Sequence, residues 1–229
     1  MQQDSREMIF SVIRTGRVTK FSGINNLIHM RKSTDNAPRY DPIQRLHEVD
    51  NASRIPPDIE LYIRRVIRQE ILNKGELLLE TKAVCDRIWF IGKGLFRCYK
   101  KVKGREENVW FMKENDLMTD PKSFRRGEPA SHVIQALEDS VVYSISLHQM
   151  EDLCGRSHAF EHICHCLTWE YYLKFMDYWD ELTSGTVRQR YNLFLVHFPG
   201  LDERVSVKHI ASLLKCSSRS LHRVRKNKR

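Results

Sequence analysis

The chain has 229 residues, 41% of them hydrophobic, with ten Phe, eight Tyr and four Trp, which is enough for a packed core and more than a disordered chain would hold. Its net charge is +9, and no apolar run approaches the ~20 residues of a membrane span, so no membrane partner is expected. Arg6, Glu7, Arg14 and Arg17 interrupt any signal-peptide centre. The six cysteines (Cys85, Cys98, Cys154, Cys164, Cys166 and Cys216) show no C-x-x-C spacing and read as reduced thiols of a cytoplasmic protein.

Residues 1–40 carry 7 Lys/Arg against 3 acids, with scattered Ser, Thr, Asn and Gly, and form a basic, loosely attached arm. Helical spacings follow through residues 41–70: Leu46 and Val49, then Ile59, Tyr62, Ile63, Val66 and Ile67. Pro56-Pro57-Asp58 starts the second of these helices.

From Ile71 the period shortens. Short β-like pieces alternate with turns at Glu76–Glu80, Arg87–Ile91, Leu95–Tyr99, Asn108–Met112, Ser131–Leu137 and Val141–Ser146. Turn signals roughly every 8–12 residues predict a small antiparallel barrel or jelly roll.

Leu147 to Leu153 reads as a short helix, and a long one runs from about Ser157 to Leu182. The long helix carries two apolar stripes. Phe160, Cys164, Leu167 and Tyr171 form one; Thr168, Tyr172, Phe175, Trp179 and Leu182 form the other. One stripe can cover the barrel while the other meets a second copy, which predicts a homodimer. Cys154, His158, His162, Cys164, His165 and Cys166 cluster at the start of this helix, and His and Cys at i, i+4 suit zinc. A helix start with exposed His and small buried Cys accounts for them better, and neither a metal nor another cofactor is expected.

Thr183-Ser184-Gly185 is a hinge. Val187, Tyr191, Phe194 and Leu195 continue as a helix that Pro199-Gly200 ends. In the last stretch Ile210, Ala211 and Leu214 share one helical face, and Leu221 and Val224 form a second apolar pair. Lys215-Cys216-Ser217 is a corner between them, and Ser217 or Ser218 is a good N-cap for the second helix. This is the pattern of a helix-turn-helix. From Thr186 to Arg229 there are 11 Lys/Arg against 2 acids, an excess of +9, equal to that of the whole chain. A surface that basic predicts a polyanionic partner, namely DNA. No Ser/His/Asp order, P-loop or Gly-rich fingerprint appears, so an enzyme is not expected.

The assembled order of barrel, long helix, hinge and helix-turn-helix resembles the Crp/Fnr (cyclic-AMP receptor protein/fumarate-nitrate regulator) family of bacterial transcription factors. Lys74-Gly75-Glu76 and Ile91-Gly92-Lys93-Gly94-Leu95-Phe96-Arg97 are similar to the glycine turns of the family's barrel. Ala136-Leu137-Glu138-Asp139-Ser140 is similar to the end of its ligand region. Arg190-Tyr191, Phe198-Pro199-Gly200 and Ile210 to Arg225 are similar to its winged-helix domain. The resemblance covers residues 42–229. It implies an α+β fold with an N-terminal antiparallel jelly-roll (cyclic-nucleotide-binding-like) barrel, a long dimerisation helix and a C-terminal winged-helix-type helix-turn-helix. The corresponding domains are the arm at 1–40, the barrel with flanking helices at 41–153, the dimerisation helix at 154–183 and the DNA-binding domain at 184–229.

The resemblance also implies a small-molecule effector in the barrel, unidentified here, and RNA polymerase as a further partner. Cyclic-nucleotide binders of the family use a Gly-Glu pair for the ribose and an Arg followed by Ser or Thr for the phosphate. The Gly-Glu positions fall near Met118-Thr119 and the Arg position on Ala130, followed by Ser131. These determinants are absent, and Arg125 and Arg126 lie only in the neighbouring loop, so tight cyclic-AMP or cyclic-GMP binding is not expected. The first Cys is Cys85, which argues against the family's N-terminal iron–sulfur cluster, and no spacing among the ten His selects a haem ligand.

For DNA, the family positions facing base edges are Ser218, Arg219 and Arg223, with bidentate Arg contact to guanine as the expected chemistry. Ser217 and Ser220 suit phosphate or cap roles, and Lys208, Lys215 and Arg225 suit backbone contacts. Lys215 stands where such units usually place a left-handed Gly, and no wing hairpin follows the second helix. The expectation is a dimeric DNA-binding regulator with an effector-sensing or orphan barrel; the alternative is a non-enzymatic ligand- or partner-binding barrel whose basic tail binds nucleic acid non-specifically.

Overall fold

The structure, a computed structural model, describes residues 40–50, 54–183 and 185–226, with the side chains of 180–183 outside that description. The expected arm at 1–40 therefore lies outside the described residues but for Tyr40, and so does Ser184 of the hinge. In chain order the elements are α1 (Pro42–Val49), α2 (Pro57–Val66), β1 (Arg68–Leu72), β2 (Leu77–Leu79), β3 (Arg87–Lys93), β4 (Phe96–Val102), β5 (Arg105–Met112), β6 (Leu117–Met118), α3 (Pro121–Arg126), β7 (Val133–Ala136) and β8 (Ser140–Ser146). The all-helical remainder comprises α4 (Leu147–Arg156), α5 (His158–Thr183), α6 (Val187–His197), α7 (Leu201–Arg204), α8 (Val207–Leu213) and α9 (Ser218–Lys226).

The strands form two antiparallel four-stranded sheets, ordered β1-β8-β3-β6 and β2-β7-β4-β5. Side chains alternate across a strand, so Trp89 and Ile91 of β3 point inward together. They meet Leu72, Met118 and Val142 from their own sheet, and Leu79, Phe96, Met112, Ile134 and Ala136 from the other. Gly94 lets the β3–β4 connection fold tightly: its φ is +111°, and a Cβ there would collide with Ser140.

β1, β6 and α3 were not foreseen. β1, Arg-Gln-Glu-Ile-Leu, is an edge strand whose outer side is solvated, so charged residues fit where a helix was expected to continue. α3 starts at Pro121, with the Asp120 carboxylate accepting a hydrogen bond from the Ser123 amide at 3.1 Å.

α1, α2, α4 and the first half of α5 pack together through Ile43, Ile59, Ile63, Leu153, Phe160, Ile163 and Leu167. Arg45 of α1 fixes the register by donating to both carboxylate oxygens of Glu170 on α5 at 2.7 Å. The Tyr171 hydroxyl accepts from the Leu117 amide at 2.6 Å. The expected first stripe of α5 is thus turned inward, with Ile163 joining it.

The opposite side of α5 is open. Trp169, Tyr172, Leu173, Phe175, Met176 and Trp179 are each between 36% and 55% exposed. The second expected stripe contributes Tyr172, Phe175 and Trp179 to this face, while Trp169, Leu173 and Met176 widen it. Tyr178 turns the other way and is buried, edge-on to Trp110 at 4.9 Å and to Phe198 at 5.6 Å.

The C-terminal helices share one core, in which Tyr191, Phe194, Phe198, Leu201, Ile210, Ala211, Leu214 and Leu221 join Leu95 and Phe111 of the barrel. Capping boxes begin α4 at Ser146 with Gln149 and α6 at Thr186 with Gln189.

Candidate nucleic-acid interface

α8 opens with the Ser206 hydroxyl accepting from the His209 amide at 3.3 Å. It buries Ile210, Ala211 and Leu213, with Leu214 next to them. The chain then turns sharply. Lys215 has φ +49°, the left-handed region, so the corner takes the conformation expected of a Gly although a Lys occupies it. The Cys216 amide donates to Ala211 O at 2.9 Å and closes the turn.

Ser217 starts α9. Its hydroxyl accepts from the Ser220 amide at 3.1 Å and bonds the Ser220 hydroxyl at 2.9 Å, while its carbonyl accepts from the Leu221 amide. Ser217 is the cap, one of the two alternatives for that role, and Ser220 is half-buried beside it rather than directed outward.

α9 is strongly two-sided. Leu221 is fully buried against α8, and Val224 packs on the same core. Ser218, Arg219, His222, Arg223 and Lys226 are exposed and follow i, i+1, i+4, i+5, i+8, a single face of one helix. Ser218, Arg219 and Arg223 were expected here; His222 was not, although the spacing places it between Arg219 and Lys226. Lys208 on α8 and Lys215 at the corner are exposed as well.

Arg225 has a different setting from the one expected. Its guanidinium donates to Asp202 O at 2.8 Å, lies 4.0 Å from the Asp202 carboxylate and sits 6.0 Å over the Tyr191 ring. It clamps α9 to α7 and α6, with Nη2 engaged inside the domain.

The barrel positions expected to correspond to a ligand site are occupied by the protein's own side chains. Met118 and Ala130 are buried in the core beside Trp89, Phe96 and Phe124. Between them Asp120, 3% exposed, takes hydrogen bonds from the Ser123 amide at 3.1 Å and from His132 Nδ1 at 3.1 Å. Burial alone would raise this carboxyl. The Ser123 amide, His132 and the Ser131 amide outweigh it and hold Asp120 below the usual carboxylate value. Arg125 and Arg126 point away, toward Glu151 and Glu128.

The cysteine–histidine cluster does not converge. His162 pairs with Asp50 at 3.2 Å and approaches the Cys166 sulfur at 3.5 Å, while His158 pairs with Glu161 at 3.3 Å. Among the described residues no group of three or more His, Cys, Asp or Glu could hold a metal ion, and no helix is long and apolar enough to cross a membrane.

Comparison with known proteins matches this architecture. Residues 69–157 match the family model of the cyclic nucleotide-binding domain. None of the curated protein sequences matches the chain. Among solved structures, FixK2 from Bradyrhizobium japonicum superposes with a TM-score of 0.61 at 17% identity, over 71% of this chain and 84% of its own. A mutant of CooA from Carboxydothermus hydrogenoformans gives 0.59 at 16% identity, over 80% and 83%. A transcriptional regulator of the Crp/Fnr family from Eubacterium rectale gives 0.59 at 15% identity, over 76% and 83%. Residues 69–157 thus form a cyclic nucleotide-binding domain, set in a chain that has the fold of the Crp/Fnr-type transcriptional regulators.

Proposed function

We propose that the protein is a dimeric, DNA-binding transcriptional regulator in which α8 and α9 are a helix-turn-helix and α9 enters the major groove. The observation that carries this is the outer face of α9, where Arg219, His222, Arg223 and Lys226 stand exposed over the buried Leu221. A cationic ridge on a helix with a firmly packed back is what groove insertion requires. Arg219 and Arg223 are the base-reading residues, with Ser218 ahead of them at the helix start and His222 between them, and Lys208, Lys215 and Lys226 meet phosphates. Ser217 and Ser220 cap the helix and present its amide end to the backbone. Arg225 acts by holding α9 in place.

The exposed aromatic side of α5 supports a two-fold dimer through that helix, and the sheet orders β1-β8-β3-β6 and β2-β7-β4-β5 support a jelly roll. The filled ligand region supports an orphan barrel, or one whose effector is not a cyclic nucleotide: a cyclic phosphate would meet the buried Asp120 carboxylate with no arginine to neutralise it.

Selection of bound sequences from random duplexes tests the proposal. A two-fold symmetric site, bound with a salt-normalised preference over bulk DNA, is expected. Binding without sequence preference would support instead a barrel with a non-specific basic tail.

A further inference from the structure

The core that joins the C-terminal helices to the barrel carries a polar seam. Arg97 of β4 is 5% exposed and its donors are all engaged. Nε donates to Gln135 Oε1 at 2.8 Å, Nη2 pairs with Glu106 at 2.7 Å, and the guanidinium lies 4.1 Å over the Tyr99 ring. The remaining Nη1 reaches across to α8 and meets His209 Nδ1 at 3.2 Å, with Asn108 Oδ1 at 3.4 Å. Asn108 of β5 completes the seam: its amide donates to Ser212 Oγ at 3.0 Å and its side-chain NH2 donates to His209 O at 2.9 Å. Ser212 Oγ returns a bond to Glu106 O at 3.2 Å.

Arginine has no acceptor and does not lose its charge. The contact at His209 Nδ1 therefore exists only while that nitrogen is an acceptor, with the ring neutral and its proton on Nε2. A proton on Nδ1 places two donors and two positive charges face to face. Arg97 cannot retreat, because Gln135, Glu106 and Tyr99 fix it. From this geometry we propose that His209 makes the seam a proton-responsive latch, closed on the barrel when the ring is neutral and loosened when it is protonated.

The charges facing the ring agree. Burial comes first in disfavouring the imidazolium, followed by Arg97 on β4; Lys208 on α8 adds to them, and Glu106 on β5 opposes them without prevailing. The docked ring is thus held below the ordinary imidazole value. Above that ordinary value the ring is neutral docked or undocked, and the latch has its full strength. As pH falls below it, the undocked state takes up the proton first and gains on the docked one until the depressed docked value is passed.

A second tether remains in place through this window. Arg204 donates to Glu114 at 2.8 and 2.9 Å and to Glu138 at 2.6 and 3.1 Å. Burial of Glu114 would raise its carboxyl, yet the Arg204 bonds and the Gly94 amide keep it below the usual value, so it stays ionised. Acidification loosens one side of the joint and spares the other, so the C-terminal helices pivot rather than detach.

The latch is independent of DNA, and amide hydrogen exchange on the full chain tests it without DNA. The Asn108 amide is a direct reporter, since its acceptor is on α8. After correction for intrinsic rates, protection at Asn108 and across α8 is expected to fall between about pH 7.5 and about pH 5.5, with each unit of pKa depression multiplying the opening constant by about ten. Amides of β3 and β8 should hold their protection. In His209→Gln, whose side-chain oxygen can still accept from Arg97, the pH response should vanish. Unchanged protection at Asn108, an equal loss in His209→Gln, or an equal loss in β3 and β8 would each overturn the proposal. If the Gln variant stays undocked at both pH values, proton NMR titration of the unaltered chain decides: His209 must titrate below the ordinary imidazole value, and a midpoint at or above that value refutes the latch.

Discussion

Two helix starts in this molecule use the same local device to opposite ends. α3 begins at a buried acid and α9 begins at an exposed hydroxyl. At α3, Asp120 takes the free amide of Ser123 for itself and adds His132, so a full negative charge already sits at the helix start. At α9, Ser217 satisfies the Ser220 amide without adding charge, and the exposed residues that follow are cationic. The same backbone device thus sets opposite local charge, a buried carboxylate at α3 and a neutral hydroxyl followed by cationic side chains at α9.

The largest expected effect is on what holds the α9 face in place. Leu221→Ala should lose about 2–5 kcal/mol of stability in the C-terminal helices, measured by denaturant unfolding, because it leaves a cavity between α8 and α9. If the barrel unfolds with them, the two regions are one cooperative unit. Next, Arg219→Ala and Arg223→Ala should each reduce discrimination between the selected site and a mismatched one by about 1–3 kcal/mol in competition binding. Lys226→Ala should instead weaken all sequences alike and lower the salt slope by about one. Equal, sequence-independent losses in all three would remove the base-reading roles.

On the other side of the comparison, Asp120→Asn should cost about 1–3 kcal/mol, since a buried carboxylate loses charged hydrogen bonds. The sign of its pH dependence follows from the lowered pKa: the stabilisation is present above the ordinary carboxylate value and lost as pH falls through the lower folded value. Acid titration of the Asn variant should lack that component. Smallest, Lys215→Gly should raise stability by less than about 1 kcal/mol, because the left-handed corner no longer strains a side chain.

Much of this was legible in the sequence. The strands from β2 to β8, except the two-residue β6, announce themselves through apolar runs between turn residues. The corner at Lys215 and the cap at Ser217 follow from local spacing. β1 was hidden because Arg68 and Gln69 are exposed at the sheet edge and the Glu70 carboxylate turns back to accept from Trp89 Nε1 and Ser144 Oγ, so the segment carries no apolar alternation. His222 shares the face of Arg219 at i+3, but an imidazole among arginines carries no distinct sequence signal for base contact. The contact of Arg225 with Asp202 had no local signal, because the partner lies 23 residues away and the two meet only once α7 folds beside α9. The Arg97–His209 contact, 112 residues apart, has no sequence signature at all. Local rules reach caps, turns and faces; pairings across the fold depend on tertiary closure.

The aromatic side of α5 has a thermodynamic consequence. Six large apolar side chains there face outward, so in the proposed dimer covering them is a bimolecular event governed by mass action. The midpoint of thermal unfolding should rise with protein concentration, and occupancy of a two-fold site should grow more steeply than in proportion to it. In the proposed dimer, abundance would then be a control signal in its own right.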